Sequence, residues 1–156
     1  MKVAGIAVAM PRPKRPVTRL VVLDNGNGAT VVVTSESFPS DDVPIPEQLH
    51  DISESVRSRL IGLAVDRVVV RRADRAPISR NGDGPRFRLL AEGAATAAAR
   101  SVVIDTSLET GKSAATLYRA SKADHEAAAA SLVALSGLEA DMTGAVAAAL
   151  AGLGRS

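Results

Sequence analysis

The chain has 156 residues, 46% hydrophobic and 23% charged, enough for a domain with a buried core and outside the disordered class. It holds no cysteine, which excludes disulfides and thiolate zinc sites and fits a reducing, cytoplasmic setting. The net charge of +2 is uneven: residues 1–122 carry 18 of the 19 Lys and Arg against 13 acids, while beyond them only Arg155 faces Asp124, Glu126, Glu139 and Asp141.

Val3 to Ala9 is a short apolar run suited to a strand buried on both faces, and it ends at Pro11-Arg12-Pro13-Lys14-Arg15-Pro16. Nothing there reads as a secretory leader, and no stretch approaches the length of a membrane span. Val17 to Leu23 and Ala29 to Thr34 are β-branched runs joined by Asp24-Asn25-Gly26-Asn27-Gly28, a hairpin signal because Asn and Gly accept positive φ. Strands one to three are therefore expected to form an antiparallel meander. Leu49, Ile52, Val56, Leu60 and Leu63 recur at helical spacing after Pro44 and Pro46 and make one stripe for the sheet. Arg67 to Arg71 is the fourth strand, followed by a Gly/Pro/Asn loop from Asp74 to Pro85. A helix from Arg86 to Arg100 and a fifth strand from Ser101 to Asp105 come next, then a helix from about Gly111 to Ala120. Ser121 with Asp124 is a variant capping box opening an alanine-rich helix, and Asp141 is expected to cap the last one. The helix-joined parallel strands imply a right-handed crossover, and residues 1–156 read as a single domain.

Fifteen of the cations are arginine, a residue suited to bidentate phosphate contacts, although a G+C-rich genome produces the same bias without functional meaning. With only Phe38, Phe87 and Tyr118 as aromatics, a base-stacking platform is disfavoured. Gly111-Lys112-Ser113 is the end of a phosphate-binding loop in form, but Thr106 stands where that motif needs a glycine. His50 and His125 sit beside acids on helices. Sequence neighbours there diverge by about 100°, so solvated helix faces explain both better than a metal site. Glu92 is expected to face solvent or pair with a nearby arginine.

The element order, with Gly5-Ile6 in strand one, resembles the ribonuclease H-like superfamily, and within it the RuvC-type Holliday junction resolvases. The resemblance covers nearly the whole chain and implies an α/β fold, a five-stranded mixed sheet (three-stranded antiparallel meander plus two parallel strands) flanked by helices. It also implies four acids holding two divalent cations: an Asp in strand one, a Glu in strand four and two Asp opening the last helix. Here Gly5-Ile6 runs into Ala7-Val8-Ala9, the strand-four position falls in Val69-Val70-Arg71-Arg72, and Asp141-Met142-Thr143-Gly144-Ala145 keeps one Asp of two. Lys112 and Lys122 fall near family lysines.

One acid cannot hold a cation pair some 4 Å apart, so no metal and no cofactor is expected, and a non-catalytic protein is favoured over an enzyme. The expected role is binding of a DNA or RNA backbone through Arg12, Lys14, Arg15, Arg71, Arg72 and Arg75, with Arg80, Arg86 and Arg88 as further candidates. Two alternatives stand beside it. One is a structural or assembly protein, a homo-oligomer or the partner of another protein, built through the alanine-rich helices 86–100, 122–136 and 141–153. The other is a metal-dependent nuclease with relocated acids, drawn from Asp74, Glu92, Asp105 and Asp141.

Overall fold

The computed structural model describes residues 1–12, 15–74 and 83–155. Its elements are β1 (Lys2–Arg12), β2 (Arg15–Asp24), β3 (Val31–Pro39), α1 (Ile45–Leu63), β4 (Arg67–Arg71), α2 (Gly84–Val102), β5 (Thr106–Glu109), α3 (Gly111–Leu117), α4 (Lys122–Leu135), a 3-10 turn (Ala140–Met142) and α5 (Thr143–Gly154). The strands form one sheet in the order β3-β2-β1-β4-β5. β1 and β2 pair antiparallel, as do β2 and β3, while β1–β4 and β4–β5 are parallel. The expected meander and parallel pair are both present.

Alternation along the two central strands divides the interior between two layers. Ala4, Ile6, Val8, Leu20 and Val22 face α1 and α2, meeting Ile52, Val56, Leu60, Ala91 and Ala95. Val3, Ala7, Val21 and Leu23 face α4 and α5, meeting Ala129, Val133, Ala145, Val146 and Ala149. Few side chains here are large, so the layers approach closely. Gly5 marks the extreme: a Cβ built on it would lie 2.0 Å from the Ala145 carbonyl oxygen of α5.

Several expectations are corrected. The fifth strand is Thr106–Glu109, not Ser101–Asp105, because α2 runs on to Val102 and the Val103 amide still donates to the Ala99 carbonyl. Val103 is buried at the helix end while Ile104 is 82% exposed in the connection, so the apolar run serves helix packing rather than strand pairing. Ser121 does cap α4, accepting from the Asp124 amide. Asp141 does not cap α5, whose N-cap is Met142 with no side-chain bond. Of the three alanine-rich helices expected to offer an oligomer interface, α5 is buried throughout from Ala145 to Gly152 and has no face to give. Among the described residues no helix is long and apolar enough to cross a membrane.

Candidate functional site

The parallel strands β1 and β4 end side by side at the carboxyl edge of the sheet. Register places Ala7 between Arg19 of β2 and Arg71 of β4, in a cross-strand row that continues to Glu109 of β5. Paired residues share a face, and Ala7 belongs to the α4–α5 layer. Both guanidinium groups therefore emerge beneath α4 and α5.

Each meets acids there. Arg19 Nη2 donates to Asp141 Oδ2 at 2.5 Å, with the arginine side chain 10% exposed and the aspartate 46%. Arg19 Nε is buried without a hydrogen-bond partner. Arg71 Nη2 lies 3.2 Å from Glu126 Oε1 and 3.6 Å from Asp74 Oδ2. Lys122 Nζ donates to Asp74 Oδ2 at 2.6 Å, and the Gly111 amide donates to Asp74 Oδ1 at 2.9 Å. The bond from Lys122 leads in holding the Asp74 carboxyl below its ordinary range, and Asp74 in turn raises the Lys122 ammonium. Between the two arginines the floor is closed. Ala7 is 8% exposed, and a Cβ on Gly144 in the first turn of α5 would sit 3.3 Å from the Ala7 Cβ.

The relocated acids do not converge. Asp141 and Asp74 belong to the charge pairs just described. Glu92 lies on α2, across the sheet, where it is 1% exposed and accepts from the Ala73 amide and Arg88 Nε, each at 2.9 Å. Pairing with an arginine is as expected; full burial is not, and burial pushes this carboxyl above its ordinary value. Asp105 precedes β5 at the opposite end of the parallel strands, bonded to Arg67 Nε at 2.6 Å and 3.4 Å from Arg155. Among the described residues, no group of three or more His, Asp or Glu is placed to hold a metal ion.

The expected phosphate contacts are also dispersed. Lys14, Arg75 and Arg80 lie outside the described residues, and Arg12 pairs in register with Arg15 at the end of β1. Arg15 is matched by Asp42 at 2.5 Å. Arg72 faces the α2 side, opposite to Arg71, as strand alternation requires, and acts on Glu92. Lys112 opens α3 exposed. Sequence reasoning missed Arg19 and Glu126. The available signal for Arg19 was a charged residue inside the buried run Val17 to Leu23.

His125 corrects another expectation. It is 0% exposed and donates from Nε2 to the Ala147 carbonyl of α5 at 2.9 Å, while Nδ1 has no partner. Its ring lies 5.0 Å from that of Tyr118. His50 is exposed. Burial leads in pushing the His125 imidazole below 6.5, with nearby Arg71 adding to it and the Ala147 bond and Glu126 opposing. A proton on Nδ1 would be an unsatisfied buried donor. The folded state therefore binds this proton less readily than the unfolded chain, so its stability is full above about pH 6.5 and declines as pH falls through that value. Denaturant titrations from pH 7.5 to 5 are expected to show that decline, and His125→Leu to flatten it. Glu92, with its raised value, works in the opposite sense: its contribution is lost as pH rises from 4.5. An unchanged slope in the His125 variant would refute the assignment.

A central β1 flanked by antiparallel β2 and parallel β4, with helices on both faces, defines a ribonuclease H-like α/β fold. The same arrangement is found in solved RuvC structures. The chain is similar to Thermus thermophilus RuvC in complex with a Holliday junction substrate, with a TM-score of 0.71, 20% identity and coverage of 99% of this chain and 93% of that one. It is also similar to a second Thermus thermophilus RuvC structure, with a TM-score of 0.71, 18% identity and coverage of 99% and 94%. No family model matches the sequence, and no curated protein does.

Proposed function

We propose that this chain is a non-catalytic RuvC-like protein that binds the backbone of DNA or RNA at the carboxyl edge of its sheet. The observation that carries its non-catalytic part is the row Arg19–Ala7–Arg71, which sets cations beside a position where the resemblance implies an acid. The resemblance implies acids at Ala7, within Val69-Val70-Arg71-Arg72, at Asp141 and at Gly144. Three of the four are not acids, and Asp141 is held by Arg19. These residues do not fit a divalent cation pair: two guanidinium groups repel it, and Gly144 resting on Ala7 leaves no room for carboxylates from both elements.

Charge pairing also ranks the phosphate contacts. Arg15 and Arg71 already have counter-charges, so replacing them with phosphate gains little. Arg72 and Lys112 form no ion pair among the described residues, so each can meet a phosphate without giving up a counter-charge; Arg12, Lys14 and Arg75 are proposed contacts beside them. Removing both Arg72 and Lys112 as alanines is expected to weaken oligonucleotide binding uniformly across sequences. The slope of log affinity against log salt should fall by about two. Arg15→Ala should leave that slope nearly unchanged. Fluorescence anisotropy across a salt series is the measurement, and binding that is absent, or indifferent to both sets of changes, would defeat the reading.

A second reading, assembly with another copy, is favoured by one observation. The outer face of α2 exposes Leu89, Leu90, Gly93 and Ala97, small and apolar residues at helical spacing that permit close approach. Light scattering separates a closed dimer from a monomer.

A further inference from the structure

On the other side of the same sheet edge, a cavity of about 410 Å³ opens between the end of β1, the residues after β4 and the first turns of α2. Its volume lies in the range of sites that enclose small organic molecules. Met10, Pro85 and Leu89 give it apolar walls, and Arg72, Arg88 and Glu92 line it as well. The polar groups are unequal in their commitments. Glu92 accepts from the Ala73 amide and from Arg88, and both bonds fall on Oε1. Oε2 takes neither of them. A nearly fully buried carboxylate gains from every additional donor, and a carboxylate oxygen can accept two. Arg72 has no ion pair among the described residues and presents a planar fork of donors.

We propose that this cavity takes a nucleobase bearing an exocyclic amine, supplied either as a free nucleotide or as an unpaired base of a nucleic acid. An acceptor beside a donor fork reads an amine next to an unprotonated ring nitrogen, the pattern that adenine and cytosine share. Uracil and thymine can offer their ring N–H to Glu92 and one carbonyl oxygen to Arg72, but the second carbonyl oxygen then lies on the carboxylate side, where it is repelled. The thioether of Met10 and the ring of Pro85 supply soft apolar surface for a flat heterocycle where no aromatic side chain is at hand. Arg72 is shared with the phosphate reading, but the two are tested separately, this one by a ratio between bases at one salt concentration and that one by a salt slope.

The test is calorimetric titration of the full chain with AMP, CMP and UMP, and separately with single-stranded dC and dT oligomers of equal length. An amine-bearing form is expected to bind about tenfold more tightly than its keto counterpart in at least one of the two series. Preference among the mononucleotides identifies the free nucleotide as the source, and preference only among the oligomers identifies an unpaired base. Glu92→Gln is expected to erase the preference. Because Glu92 is buried, a second variant guards against loss of folding: Leu89 is 55% exposed, so Leu89→Trp fills the cavity mouth in a protein whose melting shows it folded, and binding is expected to fall at least about tenfold. Equal affinity for amine and keto bases in both series, no binding in either, or binding indifferent to Leu89→Trp would overturn the proposal.

Discussion

Gly5→Ala is expected to leave little folded protein. The added Cβ would lie 2.0 Å from the Ala145 carbonyl oxygen, 2.5 Å from the Ala149 nitrogen and 2.9 Å from the Ala149 Cβ. Two of those atoms are helix backbone, so no rotamer change relieves the clash. Either α5 lifts from the sheet or β1 bends away from it, and both open the layer containing Val3, Ala7, Val21 and Leu23. Overpacking that side chains can absorb costs about 1–3 kcal/mol. Backbone displacement in the central strand should cost more, a large part of the roughly 5–15 kcal/mol that holds a domain together. Gly93→Ala is the matched control, since nothing lies within 4 Å of its Cβ. In mid-helix that change should stabilise by about 0.5–1 kcal/mol. Denaturant melts of both variants decide the matter, and a Gly5→Ala protein as stable as the parent would show that β1 and α5 are not in such close contact.

The second large effect is asymmetric. Asp141→Ala leaves the Arg19 guanidinium, 10% exposed, without its acid, whereas Arg19→Met leaves Asp141, 46% exposed, free to hydrate. The first is expected to cost about 2–3 kcal/mol and the second about 1 kcal/mol or less, with the double change close to Arg19→Met alone. The same variants address chemistry. If Asp141 is an ion-pair partner and not a metal ligand, incubation with branched or single-stranded DNA and Mg²⁺ or Mn²⁺ gives no cleavage for the parent or for either variant. Cleavage by the parent that vanishes in Asp141→Ala would return the chain to the nucleases and end the reading given to the row around Ala7.

How far such a site can be read from residues alone depends on the range of the forces that make it. β4 was legible to its ends because three valines between arginines have one way to pack in a parallel sheet. β5 was not: its sequence Thr-Ser-Leu-Glu is half-exposed and polar, while the apolar residues before it belong to the end of a helix. The contrast between Ala7 and the acid that the resemblance implies was visible from the start. What replaced that acid was not, since Arg19 and Asp141 are separated by 122 positions, and no local pattern announces such a pair. His125 misled for a related reason. Flanked by Asp124 and Glu126, it reads as part of a wet helix surface, yet the helix turns it inward while its neighbours stay outside. Adjacent residues on a helix occupy different environments, and a charged neighbourhood in sequence is not one in space.

The burial of α5 on every side bears on how the molecule comes into being. The layer under α1 and α2 draws on residues 4–103, so it can close while synthesis is still under way. The other layer waits for the last helix to leave the ribosome, because Gly5 meets Ala145 and Ala149 across almost the full length of the sequence. Closing so long a loop is slow relative to local helix formation. A nascent chain halted before residue 143 would carry one finished face and one bare face of valine and leucine, a ready substrate for chaperones and a ready start for aggregation.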